Sequence, residues 1–267
     1  MVRNHWIFLN RLLDDAKELG KIVKNPCSPM LDDMKQLKKK AAKKEKVILD
    51  RDEIPVFLEA IKGNKYFVAH LVELYTGARR SELLGLSWKS VDLEKNTITI
   101  CQQLTPEKTI KNQLKHNGEP RTIEIPEEIT ALLRTHKAQQ NERRLLLGKE
   151  YDKQGFNLVF AFDDGSPINS RSFYTSYKRT LEKAGLNHEE MTYHSLRHLL
   201  ITLLLENGVK LKTVQEIAGH KNAQTTLDVY AHVTKGQTTI AAETLKNTYS
   251  GNNTHELNSS INLQKAQ

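Results

Sequence analysis

Cysteine is scarce in this chain. Among 267 residues there are two, Cys27 and Cys101, in unrelated settings. That excludes a disulfide-stapled secreted scaffold and a zinc framework, and it predicts a reducing compartment. Aromatic residues make up 6%, too few for a protein that works mainly by stacking single-stranded bases. Long apolar runs are missing as well. A short one at Trp6 to Leu9 is soon followed by Asp14 and Asp15, with no small-residue cleavage pattern. A signal peptide and a membrane span are therefore not expected, and the reading is a cytoplasmic protein. Acidic residues are outnumbered by basic ones, 32 against 40, for a net charge of +8. A polyanionic partner is favoured over an acidic or neutral one, although basic charge alone singles out no function.

What the chain does contain is organised in segments. Trp6, Leu9, Leu12, Leu13, Ala16 and Leu19 fall at helical spacing over residues 5–23, and Gly20 closes that helix. Asn25-Pro26-Cys27-Ser28-Pro29 then breaks any helix. Residues 35–46 pack lysines at 35, 38, 39, 40, 43, 44 and 46, the pattern of a solvated linker. Asp52 is placed to cap a helix with Pro55 in its first turn, running to about Ile61. Tyr66 to Tyr75 reads as a second helix with Phe67, Leu71 and Leu74 on one face. Trp88 and Val91-Asp92-Leu93 are expected to end the next helical stretch. Thr97–Ile100 and Arg121–Pro126 alternate as strands, with the turn signal Asn117-Gly118 between them. Residues 127–147 and 170–248 read as mostly helical, and the Asn- and Ser-rich stretch from Gly251 reads as a disordered tail. The expected fold class is mainly α (α+β), helical with a small antiparallel sheet at one edge.

The chemistry is concentrated near the C-terminus. His194-Ser195-Leu196-Arg197 is followed by Gly219-His220 and then Tyr230-Ala231-His232. A phenol is a poor nucleophile at neutral pH until something activates it. Guanidinium forks bind phosphate oxygens and neutralise transition-state charge, and a histidine can move the proton. Upstream, Thr76-Gly77-Ala78-Arg79-Arg80-Ser81-Glu82-Leu83 adds an arginine with a carboxylate one turn on, and Lys115 lies six residues before Arg121-Thr122-Ile123. Each part has an ordinary explanation: a surface arginine, an i,i+3 pair, a helix-end histidine, a solvated lysine. Their order and spacing together favour a phosphoryl-transfer site built around a tyrosine.

From about Val47 to about Leu245 this set resembles the tyrosine recombinase (phage-type integrase) family, most of all the integrases of Gram-positive phages and conjugative transposons. The resemblance implies a DNA recombinase that works through a 3′-phosphotyrosine without metal, ATP or any other cofactor. It assigns catalytic roles to Arg79, Lys115, His194, Arg197, His220 and the nucleophile Tyr230, with Glu82 orienting Arg79. Lys38, Lys39, Lys40, Lys43 and Lys44 would then lie along the DNA backbone. The implied partners are double-stranded DNA, three further copies in a tetramer on that DNA, and an accessory DNA-bending or excision factor. No membrane is implied, and the setting would be the bacterial nucleoid.

The stretch Ala16-Lys17-Glu18-Leu19-Gly20 to Asn25-Pro26 is similar to the last helix of the family's core-binding domain. The expected domains are that helix in 1–30 as part of a truncated core-binding domain, a basic linker in 31–46, the catalytic domain in 47–248 and a tail in 249–267. Two rival readings remain. Glu190, His194 and His198 recur every four residues and could hold a metal. Alternatively, Val209 to Tyr230 has a helix-turn-helix outline, as in a non-catalytic DNA-binding remnant or regulator.

Overall fold

The structure, a computed structural model, describes residues 2–27, 47–114, 119–186 and 189–220, together with Gln224, Thr226, Leu227 and Val229. The chain divides into a unit up to Glu45 and one from Lys46 onward. In the first, α1 (Val2–Glu18) ends before Gly20, which takes the left-handed conformation at φ +66°. The buried Asn25 ties the returning chain to that helix: its Nδ2 donates to Asn10 Oδ1 at 3.1 Å and to Asp14 Oδ1 at 2.7 Å.

The second unit begins with α2 (Glu53–Lys62), α3 (Phe67–Thr76) and the single turn α4 (Arg80–Leu84). Asp52 occupies the cap position of α2 but makes no capping hydrogen bond. Instead the Glu53 carboxylate accepts from the Asp50 N–H at 2.8 Å, fixing the chain where it enters the helix. Along α3 the expected apolar stripe is rotated. Ala69, His70, Leu71, Val72, Glu73 and Thr76 are buried while Phe67 and Leu74 are only half-buried. The helix is packed on most sides, so its apolar spacing could not single out one face.

Nor does helix continue to Val91. After α4 the chain makes a 3-10 turn at Trp88–Ser90, and Val91–Asp92 is strand β1. Trp88 is held there by a hydrogen bond from its Nε1 to Gln140 Oε1 at 2.6 Å. Strand β1 pairs with β2 (Thr97–Ile100), and β2 pairs with β5 (Arg121–Glu124), all antiparallel. Between β2 and β5, β3 (Gln103–Leu104) and β4 (Ile110–Lys111) form a second, two-stranded sheet that the polar sequence there does not announce. Along β5, Arg121 and Ile123 point inward while Thr122 and Glu124 are exposed.

Helix α5 (Glu127–Leu147) turns Ile129, Leu133 and Gln140 inward. Gln140 Nε2 and the His136 ring both bond Val159 O, pinning the irregular segment that leads to α6 (Ser170–Lys183). Helix α7 (Tyr193–Glu206) opens with a reciprocal cap, Thr192 N–H donating to Ser195 Oγ at 3.0 Å. Helix α8 (Leu211–Ala218) packs Val214 and Ala218 on Ile201 and Leu205 of α7. At the centre, α2, α3, α6 and α7 meet through aromatic edges: Phe173 and Tyr177 lie 5.1 and 5.2 Å from the Tyr193 ring, and His70 stacks on Phe173. Among the described residues no helix is long and apolar enough to cross a membrane.

Candidate active site

The site is built around the end of α8. Gly219 follows the helix at φ +61°, and the turn closes with Gly219 N–H donating to Glu216 O and His220 N–H to Gln215 O. That pattern leaves the last three carbonyls of the turn pointing outward, a concentration of partial negative charge at a helix C-terminus. Each is taken by a different arginine. Ile217 O accepts from Arg121 Nε at 2.9 Å, Ala218 O from Arg197 Nη2, and Gly219 O from Arg79 Nη2 at 3.3 Å. Three arginines from β5, α7 and the start of α4 thus converge on one helix end.

Local structure explains how each arrives. Gly77, left-handed at φ +57°, ends α3 and turns the chain so that Arg79 becomes the residue capping α4. Glu82 reaches back from one turn on: Oε2 accepts from the Arg79 backbone N–H at 3.0 Å and Oε1 from Arg79 Nη1 at 2.7 Å. Arg197 lies three residues into α7 beyond His194 and is buried, with Nη1 donating to Gly77 O at 2.6 Å. It sits within the buried stripe of the helix rather than above it, whereas His194, one turn earlier, is exposed. The His220 ring is oriented by Thr226, whose Oγ1 lies 2.8 Å from Nδ1.

Arg121 had not been foreseen as part of the site. Its Nη2 donates to Glu82 Oε2 at 2.7 Å, so Glu82 bridges two guanidiniums with its side chain wholly buried. The signal was in the strand alternation: Arg121, Ile123 and Ile125 share one face, and a charge at an inward strand position has to be paired.

The electrostatics follow from three guanidiniums gathered near one carboxylate, two of them bonded to it. Burial alone would raise the Glu82 carboxyl, but the charge and hydrogen bond of Arg121, joined by those of Arg79, hold it below the usual carboxylate range. Arg197 is brought down to about 9 by burial and then by repulsion from Arg79 and Arg121, and it remains charged at neutral pH. A second carboxyl, Glu73, is fully buried on α3; burial pushes it well up, with Arg197 opposing. The arginine cluster therefore carries unbalanced positive charge, an arrangement suited to an anion.

Arg79 also faces an open cleft of about 1120 Å³, lined with Arg80, Lys108, Lys111, Arg171 and His194 as well. Five cationic side chains face it against one carboxylate, Glu107. Arg80 lies over the Tyr174 ring at 5.3 Å, which holds its fork in place. Of the residues expected from sequence, Arg79, Glu82, Arg197 and His220 meet at the α8 terminus, and Arg79 and His194 line the same cleft. Lys115, Tyr230 and the lysines at 38, 39, 40, 43 and 44 lie outside the described residues. Tyr177 and Tyr193 are buried packing residues. Among the described residues no group of three or more histidines, cysteines or carboxylates is placed to hold a metal ion, Glu190, His194 and His198 included.

Residues 47–237 match the phage integrase family. The chain belongs to that family. It is 32% identical over 256 residues to the tyrosine recombinase XerC-like protein of Caldanaerobacter subterraneus, covering 91% of this chain and 64% of that one. It is 31% identical over 169 residues to the integrase of Staphylococcus phage L54a, covering 61% and 47% respectively. The chain thus spans less than two thirds of the length of either relative. The solved Tn1549 transposon integrase in complex with transposon right end DNA superposes with a TM-score of 0.69 at 27% identity, over 92% of this chain and 79% of that one. The XerH recombinase bound to palindromic difH substrate gives 0.54 at 24% identity, over 75% and 54%, a likeness of fold. The chain is mainly helical with small antiparallel sheets, and its fold is that of a tyrosine recombinase catalytic domain.

Proposed function

We propose that this chain is a site-specific DNA recombinase, breaking and rejoining strands through a 3′-phosphotyrosine. The observation that carries the reading is the convergence of Arg79, Arg197 and Arg121 on three successive carbonyls beside a single carboxylate. It leaves net positive charge beside a cationic cleft that shares Arg79 with it. In this reading Arg79 and Arg197 contact the non-bridging oxygens of the scissile phosphate, and His220 adds a hydrogen bond. The Tyr230 oxygen attacks phosphorus, the bond to the 5′ oxygen breaks, and Lys115 gives that oxygen its proton while His194 helps remove the phenol's. A 5′ hydroxyl from the partner duplex then reverses the step. The phosphodiester energy is kept in the protein–DNA bond, so no nucleotide or metal enters the scheme.

The lysines at 38–40, 43 and 44 track the DNA backbone and add salt-dependent affinity. Two duplexes cut at two positions each call for four protomers gathered on DNA, with direction set by an accessory bending or excision factor. Capture on nicked duplexes tests the reading. From a pool randomised around the nick, the chain should form a denaturation-resistant adduct that survives a chelator and is lost in Tyr230→Phe. DNA binding with no adduct would point instead to a non-catalytic regulator of the same fold.

A further inference from the structure

Arg121 belongs to a strand that needs no charge. It stands opposite Ile100 on the inward face of the β2–β5 pair, where Ile98 and Ile123 fill the neighbouring places. An apolar residue would serve the sheet at least as well, because burying a guanidinium is costly even when it is paired. The cost is borne at the one point where β5 meets the end of α8.

Its three nitrogens show what it grips. Nε holds Ile217 O, Nη2 holds Glu82 Oε2, and Nη1 is buried with no hydrogen-bond partner among the described residues. The guanidinium lies directly against Gly219: a Cβ there would come within 2.8 Å of Nη1 and 3.0 Å of Cζ. Glycine at 219 is therefore required by the arginine as well as by the left-handed turn. One guanidinium thus touches the carboxylate that fixes the Arg79 fork and the residue that immediately precedes His220.

We infer that Arg121 is a positioning residue for strand cleavage, acting through Glu82 on Arg79 and through the α8 terminus on His220, without touching DNA itself. The inference rests on the recombinase reading above. Without Arg121, Glu82 keeps only the Arg79 contacts and is free to rotate, and the helix end loses one of its three clamps. Lysine cannot substitute, because a single ammonium lacks the fork that spans Glu82 Oε2 and Ile217 O together.

The test uses the full chain and a nicked duplex recovered by covalent capture, and it measures adduct formation in single turnover at saturating DNA, with affinity measured separately. Arg121→Lys should lower the adduct rate about 100-fold, the scale of a small misplacement of reacting groups, and leave affinity within about twofold, since no DNA contact is removed. Because the effect passes through Glu82, the double variant Arg121→Lys, Glu82→Gln should be little slower than the slower single variant. A structural prop alone would lower rate and affinity together, in step with melting temperature. If Arg121→Lys fails to fold, Arg121→Met should give the same split, because an apolar side chain suits the inward strand position and removes only the guanidinium. An unchanged rate in the variant read, losses that multiply in the double variant, or parallel losses of rate and affinity would each overturn the inference. If the unaltered chain forms no adduct, the recombinase reading falls first and this inference with it.

Discussion

Replacing Glu82 by glutamine keeps the side chain's size and removes the one carboxylate bonded to Arg79 and Arg121. Three donors converge on that group: Arg79 Nη1 at 2.7 Å, the Arg79 backbone N–H at 3.0 Å and Arg121 Nη2 at 2.7 Å. Glutamine offers one acceptor oxygen, and its amide nitrogen would face a donor. Its side chain is wholly buried, so water cannot take over the lost contacts. Removing one partner of a buried ion pair costs about 3–5 kcal/mol, and the neutral amide is cheaper to bury than a carboxylate, so about 3 kcal/mol is expected. Urea unfolding followed by circular dichroism should show that loss with an unchanged m value. The sign with pH is also set. Because Glu82 is held below its ordinary 4.5 in the folded chain, its contribution is present above that value and is lost as pH falls through the folded pKa. The gap between parent and variant should therefore narrow in acid. A loss under about 1 kcal/mol at pH 7 would mean that Glu82 is not the counter-charge of the cluster.

Glu73→Gln should behave in the opposite way. Burial raises the Glu73 carboxyl, so its contribution is full below 4.5 and falls as pH rises toward the raised value. The variant should gain on the parent by about 1.4 kcal/mol per pH unit between 4.5 and the raised value, and no further above it; a pH-independent difference in urea unfolding would contradict it. Arg79→Ala should slow single-turnover adduct formation far more than it weakens DNA binding, because the guanidinium is proposed to meet charge that grows in the transition state; equal losses would count against that role. Replacing the lysines at 38, 39, 40, 43 and 44 by glutamine should do the reverse, lowering affinity and flattening its dependence on salt in a titration. An unchanged salt slope would remove those lysines from the DNA backbone.

Much of the local backbone around the candidate site could be read from local signals, because each motif is short and its backbone role is local. Thr76-Gly77 ends a helix, Glu82 pairs with Arg79 one turn earlier as expected, and Gly219 closes α8. The strands at 97–100 and 121–124 announce themselves by alternation. What escaped depends on contacts between distant segments. Arg121 meets Glu82 and Ile217 only after the sheet has formed, 39 and 96 residues away in the chain. Arg197 lies inside the buried stripe of α7, because the carbonyls of Gly77 and Ala218 supply polar partners in the interior. Val91 leaves the expected helix for a strand because Trp88 is anchored to Gln140, 52 residues on. Spacing along one segment carries no information about such partners.

The central claim is that Tyr230 becomes covalently joined to DNA, and mass spectrometry of the captured adduct tests it most directly. After nuclease and protease digestion, the account predicts a nucleotide attached through its 3′ phosphate to the peptide Asp228-Val229-Tyr230-Ala231, with a free 5′ hydroxyl on the released strand. A phosphoryl group on any other residue, or a 5′-linked adduct, would contradict it.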